Sequence, residues 1–478
     1  MYTKKQMVEV EILDLGDKNQ CFGRLDDGMG IFVQGTAAVG DTVKAEVFKI
    51  KKKYLVSRFR ELVRPSPHRI DPTCSYFGLC GGCKWQHMDY AEQLRLKRKQ
   101  VQDALEHIGG FHDLECDSCL PAPELFGYRN KMDFSFTDLR YLTTYEIGIE
   151  PGGHDKPLDF ALGFHAPGCY AKAIDIDHCD LSPEEMNIAL NTVRTFCLRH
   201  KEELPIYSTR SHTGELRNLV VRKGGNTGEF MVNLVTSNHN PELMQELCDD
   251  LQAALGERLT TFVNNTTSAK NTVAFGEKEF VLHGPGFITD RLGDYTYRIS
   301  ANSFFQTNTA QAETLYRKIL ETARLKPADI VYDLFCGTGS ITLFASGHCQ
   351  KVLGVELVES SVRDARDNAK RHGVENCEFI QLDLKDIKHI EDDMRDFGHP
   401  DVVITDPPRA GMNPKAVKML LKMAPPAIVY VSCNPASLAR DGQMLCEEGK
   451  YKLVHCQPVD MFPQTNHVES LARFEKCM

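Results

Sequence analysis

From about residue 298 the chain alternates short apolar runs with helical stretches, and this alternation restricts the fold more than any other feature. DIVYDLF, KVLGVEL, CEFIQLD, DVVITD and AIVYVSC have the length and apolar content of buried strands. Stretches such as SVRDARDNAKRHG and NPKAVKMLLKMA separate them. Strands buried on both faces and joined by helices build a doubly wound parallel sheet, so the fold class of residues 298–478 is α/β and Rossmann-like. In such sheets the strands' carboxyl ends share one edge, and ligands bind there. The residues that end these runs are therefore the first candidates for function.

Two further segments precede this one. Residues 1–64 read as five short alternating strands split by Asp-Gly and Gly turns, the pattern of a small OB-like barrel. Pro65, Pro67 and Pro72 mark a linker. Residues 65–297 are mixed α+β. They open with a cysteine cluster and a basic helix on which Leu94, Val101, Leu105 and Ile108 trace an apolar face, with helices expected at 183–200 and 241–255. The sheet of this segment is expected to be mainly antiparallel.

Composition narrows the class. With 42% apolar and 26% charged residues, the chain has the make-up of a folded globular protein. No run approaches the roughly 18–20 apolar residues of a membrane span. The N-terminus lacks a signal-peptide pattern, so a cytoplasmic location and no membrane contact are expected. A net charge of −10 gives no general sign of nucleic acid. Lys49 to Lys99 is nevertheless locally basic and could face phosphates. Nothing in the sequence calls for an obligate protein partner.

The first α/β strand runs into DLFCGTGS (333–340), where Gly-x-Gly lets backbone approach a ligand. Glu356 ends the next strand about 20 residues on, where an acid takes ribose hydroxyls, and Asp383 ends the third. The second glycine lacks a following x-x-Gly, which favours S-adenosylmethionine over a dinucleotide. The fourth strand ends in DPPRAG (406–411), with Asp406 on a rigid extended turn, or alternatively an ordinary helix cap.

The fifth strand delivers Cys433. Asn434 suits an N-cap and Pro435 a first helical position, so the thiol lies beside a helix N-terminus, where its pKa is expected to fall. Such a thiol suits methylation of a pyrimidine ring carbon. Carbon 5 of uracil becomes nucleophilic once a thiolate has added to carbon 6, and a base must later remove the carbon 5 proton. Glu469, in PQTNHVESLARF, is the candidate base. The alternatives are a core cysteine and a surface acid.

CSYFGLCGGCKWQH supplies Cys74, Cys80 and Cys83, an array suited to zinc or an iron–sulfur cluster with a fourth ligand from elsewhere. By spacing alone Cys116, Cys119, Cys169 and Cys179 compete for that place. Cys336 reads as packing.

SFFQTN (303–308), DLFCGTG, DPPRAG, SCNP and HVES, in that order, resemble the RNA uracil-5-methyltransferase family. The added barrel, which resembles a TRAM domain, and the cysteine array resemble its 23S ribosomal RNA branch, the RlmD type. This resemblance implies Cys433 as nucleophile and Glu469 as base. It implies Gln306, Phe335, Ser340, Glu356, Asp383 and Asp406 at the S-adenosylmethionine site, with Ser340 standing where asparagine is common and Asp383 where some members have asparagine. It further implies a [4Fe-4S] cluster on Cys74, Cys80, Cys83 and Cys179, and a flipped uridine of 23S rRNA as substrate. The competing readings are a tRNA uracil-5-methyltransferase and a non-catalytic iron–sulfur RNA-binding protein.

Overall fold

The structure is a computed structural model, and it describes residues 2–16, 20–143, 145–150, 152–270, 276–384 and 396–477. The chain forms two compact units. The first comprises residues 1–96, 138–180 and 463–466; the second comprises 97–137, 181–462 and 467–478.

In the first unit β1 (Met7–Gly16), β2 (Gln20–Arg24), β3 (Gly30–Gln34), β4 (Thr42–Ile50) and β5 (Tyr54–Arg64) close into a barrel in the order β1-β2-β3-β5-β4. Period-2 alternation explains it: Val8, Val10, Ile12, Val43, Ala45 and Val47 point inward and are buried, while their neighbours face out. Closure removes exposed strand edges. At Gly23 a Cβ would lie 2.4 Å from the Glu11 carbonyl oxygen, so strands β1 and β2 meet only because that residue is glycine. Helix α1 (Tyr90–His107) follows the linker.

The second unit opens its central sheet with β6 (Lys131–Thr137), while β7 (Ala161–Ala166) and β8 (Cys169–Asp175) form an antiparallel hairpin in the first unit. After α2 (Glu184–Arg199) come β9 (Leu216–Lys223), β10 (Phe230–Thr236), α3 (Pro241–Leu255), β11 (Leu259–Thr266) and β12 (Lys278–His283). Neighbouring strands of this sheet are antiparallel, except β10 and β11, which α3 joins as a parallel crossover. A hairpin of β13 (Phe287–Leu292) and β14 (Tyr295–Ser300), which the hydrophobic pattern did not single out, leads to α4 (Thr309–Ala323).

The α/β segment then runs β15 (Ile330–Leu334), α5 (Ser340–Ser346), β16 (Lys351–Glu356), α6 (Glu359–Arg371), β17 (Cys377–Gln381), β18 (Val402–Thr405), α7 (Pro414–Met423), β19 (Ala427–Ser432), α8 (Pro435–Cys446), β20 (Tyr451–Val459) and β21 (Glu469–Lys476). The sheet order is β17-β16-β15-β18-β19-β21-β20, parallel through β19 and closed by the antiparallel β21 and β20. Strand order reverses at β15, which opens a crevice at the carboxyl edge. Val331, Val352, Ile404, Val429 and Leu471 are among its fully buried core residues.

Helix α1 departs from the expected pattern. Val101 and Leu105 are buried, but Ile108 is 44% exposed and Lys97 is fully buried. The basic run is also largely neutralised. Arg69 pairs with buried Asp41, Arg95 with Glu92, Lys97 with Asp460 and Lys99 with Asp103. Lys51, Lys52, Lys53 and Arg58 remain exposed on the barrel. Among the described residues no helix is long and apolar enough to cross a membrane.

Candidate active site

The glycine loop follows directly from β15. Phe335 takes a left-handed backbone (φ 64°), as do Gly337 (55°) and Gly339 (80°). A Cβ at Gly339 would come within 2.8 Å of the Phe379 ring, so glycine permits α5 to start against β17. Glu356 turns onto this loop: its carboxylate accepts from the backbone N–H groups of Gly337 (3.1 Å), Leu357 (2.8 Å) and Val358 (2.9 Å). Asp383 lies beside it, because the preceding Leu382 N–H donates to the Glu356 carbonyl at 2.9 Å. Leu357, 54% exposed, adds an apolar surface next to Glu356.

Gln306 and Ser340 meet at a residue that the sequence did not single out. The buried Tyr316 hydroxyl lies 2.9 Å from Ser340 Oγ and hydrogen-bonds the Gln306 side chain. Asn130 Nδ2 in turn donates to the Gln306 carbonyl (2.9 Å). Only the position of Tyr316 on the inward face of α4 could have signalled it.

Asp333 was quoted in the glycine motif without a role. It is fully buried, accepts from Thr342 Oγ1 at 2.6 Å, and its Oδ1 has no hydrogen-bond partner among the described residues. Burial pushes its carboxyl up to about 7, with the Asp406 and Glu356 charges adding to the rise. Burial alone takes Asp406 to about 7 as well. Asp333 is fully buried within β15, whereas Glu356 and Asp406 are only partly buried at the sheet's carboxyl edge, and an acidic edge of this kind fits a cationic ligand such as a sulfonium bearing an ammonium group. The helix-cap role considered for Asp406 falls to Asn413, whose side chain accepts from the Lys415 N–H at 3.0 Å.

Cys433 sits immediately after β19. Asn434 caps α8 by accepting from the Ala436 N–H (3.2 Å), and its Nδ2 donates to the Arg409 carbonyl (3.0 Å), tying the two loops together. The β19–β21 register pairs Ser432 with Ser470, which brings Glu469 to the same edge as Cys433. The expected lowering of the thiol pKa is not found. Burial pushes Cys433 up to about 11, reinforced by the Glu469 and Asp406 charges and opposed by Arg409. One helix N-terminus does not outweigh desolvation beside two acids. Glu469 is raised to about 8 by burial and the Asp406 charge, again against Arg409. These four groups form one electrostatic cluster of a thiol, two proton-accepting carboxylates and one cation. Cys336 is buried, as expected of a packing residue.

In the first unit Cys74, Cys80, Cys83 and Cys179 are gathered. The Cys83 thiol, pushed up to about 12 by burial, also feels charges at Cys179, Cys80 and Cys74. Gln86 Nε2 donates to Cys83 Sγ at 3.1 Å. Cys116 packs against Cys456 in the second unit, and Cys119 lies near Asp460 and Lys97 there. Ligand atoms of Cys74, His178 and Asp180 also lie within 4.8 Å of one another, a smaller competing donor set. Four close, half-buried thiols with an N–H···S bond fit the chemistry of a cluster site.

Residues 227–476 match the family described as tRNA (Uracil-5-)-methyltransferase, and residues 3–59 match the TRAM domain. The chain belongs to the RNA uracil-5-methyltransferase family. This uracil-5-methyltransferase is 48% identical to an uncharacterized RNA methyltransferase of Chlorobaculum tepidum, over 99% of this chain and 97% of the relative. A second uncharacterized RNA methyltransferase, from Porphyromonas gingivalis, is 39% identical over 97% and 98% of the two chains. Among solved structures it is similar to the Pyrococcus abyssi tRNA (uracil-54, C5)-methyltransferase in complex with S-adenosyl-L-homocysteine. That likeness has a TM-score of 0.73 and 31% identity, and it covers 98% of this chain and 100% of the other. The family reaction is S-adenosylmethionine-dependent methylation of uracil carbon 5 in RNA, and this uracil-5-methyltransferase carries the TRAM barrel and α/β domain that go with it.

Proposed function

We propose that the enzyme methylates carbon 5 of a uridine in 23S rRNA through a covalent Cys433 adduct. The observation that carries the mechanism is the convergence of Cys433 and Glu469 on one strand edge, where the two groups interact. S-adenosylmethionine, when bound, supplies the electrophilic methyl group. Gln306, Phe335, Ser340, Glu356, Asp383 and Asp406 would hold it.

Cys433 gives up its proton, for which Asp406 is the acceptor near neutrality, and its sulfur adds to carbon 6 of a flipped uracil. The electron pair released from the C5–C6 double bond makes carbon 5 nucleophilic. After carbon 5 is methylated, Glu469 removes its remaining proton. The double bond re-forms, the C6–S bond breaks and the thiolate leaves.

The barrel and the four gathered cysteines support the 23S rRNA reading, since the bacterial tRNA enzyme resembles a version without them. In this reading Cys74, Cys80, Cys83 and Cys179 hold a [4Fe-4S] cluster that braces the first unit. A second reading, a tRNA substrate, is favoured by the likeness to the Pyrococcus abyssi tRNA enzyme. The test is incubation with labelled S-adenosylmethionine and unmodified 23S rRNA or tRNA, beside Cys433→Ala. Label in rRNA that is lost in the variant is expected. Label in tRNA alone would replace the first reading by the second. Label that survives in Cys433→Ala would remove the covalent mechanism.

A further inference from the structure

Gln93 and Lys97 lie one turn apart on α1, and therefore on one helical face. Lys97 is fully buried and donates to Asp460 Oδ1 (2.5 Å) and to the Phe462 carbonyl (3.0 Å). Asp460, also fully buried, accepts from the Phe462 N–H (3.0 Å), and its own N–H donates to the Leu120 carbonyl (2.9 Å). Asn308 Nδ2 holds the Met461 carbonyl at 3.0 Å. In the first unit Gln93 exchanges two bonds of 3.0 Å with Gln464, whose carbonyl accepts from the N–H groups of Lys84 (2.9 Å) and Trp85 (3.0 Å).

A buried lysine–aspartate pair is weak evidence for stability, because desolvating both charges offsets most of their attraction. Such pairs are better explained by a demand for one geometry. Here the contacts converge on residues 460–464, within the connection between β20 and β21. The ends of that connection are paired: Val459, which finishes β20, lies opposite Glu469, which begins β21. Fixing the loop at Asp460 fixes the strand end across from the glutamate.

We propose that Lys97 is a positioning residue for Glu469, pinning through Asp460 and Phe462 the connection that sets where the glutamate's carboxylate lies. The inference rests on the reading of Glu469 as the base, and it separates the two halves of the reaction. Adduct formation depends on Cys433, and adduct release depends on Glu469.

The test follows both halves with labelled RNA in Lys97→Met and in the double variant Lys97→Gln/Asp460→Asn. The double variant leaves no unpaired buried charge and keeps the test open if the single variant does not fold. Misplacing a catalytic group by about 1 Å costs on the order of 10²-fold, so decay of the methylated adduct should slow by that factor while its formation stays within about twofold. Equal slowing of both steps, or no change in either, would overturn the proposal. Hydrogen exchange across 462–470 gives a second readout that does not depend on the base assignment. If the native enzyme forms no adduct with any RNA, the reading of Glu469 falls; unchanged exchange in the double variant then overturns the clamp as well, and faster exchange upholds it.

Discussion

Ser432 lies opposite Ser470 in the antiparallel β19–β21 ladder, so Cys433, which follows Ser432, and Glu469, which precedes Ser470, leave the ladder at the same end. The placement of the proposed nucleophile and base thus follows from strand register, and sheets hold register firmly wherever a face is buried. The Glu469 charge raises the cost of ionising Cys433, and Arg409 opposes the rise at both.

Replacing Glu469 by glutamine should separate addition from release. The variant keeps Cys433 and the shape of the site but cannot take the carbon 5 proton. A methylated protein–RNA adduct should accumulate, visible as a denaturation-resistant shift, and turnover should fall by about 10²- to 10⁴-fold. Normal turnover would remove Glu469 from the mechanism.

The pH dependence follows from the raised carboxyls. Glu469 must be anionic to act and is held up to about 8, so release of the adduct should speed up as pH rises through about 8. Stability should run the other way. A carboxyl whose folded pKa lies above its unfolded value keeps its proton longer in the native state, so native stability falls as pH climbs from the unfolded value of about 4.3 toward the folded one. Glu469→Gln should therefore raise the melting temperature at pH 8 and leave it unchanged near pH 4. A gain of equal size at both pH values would contradict the assignment.

Arg409 stands where an aromatic residue would suggest amino-group methylation, and its charge favours the ionised forms of both Cys433 and Glu469. Arg409→Met should shift the alkaline rise of adduct formation and of adduct release to higher pH. The single-turnover rates of the two steps, measured against pH, check this. An unshifted profile would mean that the guanidinium acts only by binding RNA.

Much of the fold was legible because its patterns are local. Five alternating strands gave the barrel, and apolar runs between helical stretches gave the parallel sheet together with the residues at its carboxyl edge. The positions of Glu356, Asp406 and Cys433 at that edge were legible for the same reason, since the first ends its strand and the other two directly follow theirs. What the pattern missed is set by contacts distant in sequence. Tyr316 matters because Ser340 and Gln306 converge on its hydroxyl. Lys97 reads as part of a basic face until Asp460, 363 positions away, turns it inward. The lowered thiol pKa expected at Cys433 failed similarly: a helix N-terminus is visible in sequence, whereas desolvation and two facing acids are not.

Asn434 joins the Cys433 loop to the Asp406 loop, accepting from Ala436 N–H and donating to the Arg409 carbonyl. Asn434→Ala should cost about 1 kcal/mol through the lost cap. Asn434→Ser restores capping without the reach to Arg409, so it should recover stability and leave adduct formation slow. Chemical denaturation beside single-turnover assays distinguishes the two effects. Recovery of both by serine would assign Asn434 to capping alone.

The cysteine tetrad yields a prediction that separates it from its competitors. The Cys83 thiol interacts with Cys179, Cys80 and Cys74, whereas Cys119 lies beside Lys97 and Asp460. Protein prepared without oxygen should bind iron and acid-labile sulfide and show visible charge-transfer absorbance. Cys179→Ser should lose most of that signal, and Cys119→Ser should keep it. Chelating the metal from the native protein should loosen the 74–83 segment, read as faster hydrogen exchange, without affecting amides of the β15–β19 sheet. If Cys179→Ser retains full iron and sulfide, the fourth ligand comes from the neighbouring His178 or Asp180, whose donor atoms lie within 4.8 Å of Cys74 Sγ. In that case His178→Ala or Asp180→Ala should remove the signal instead.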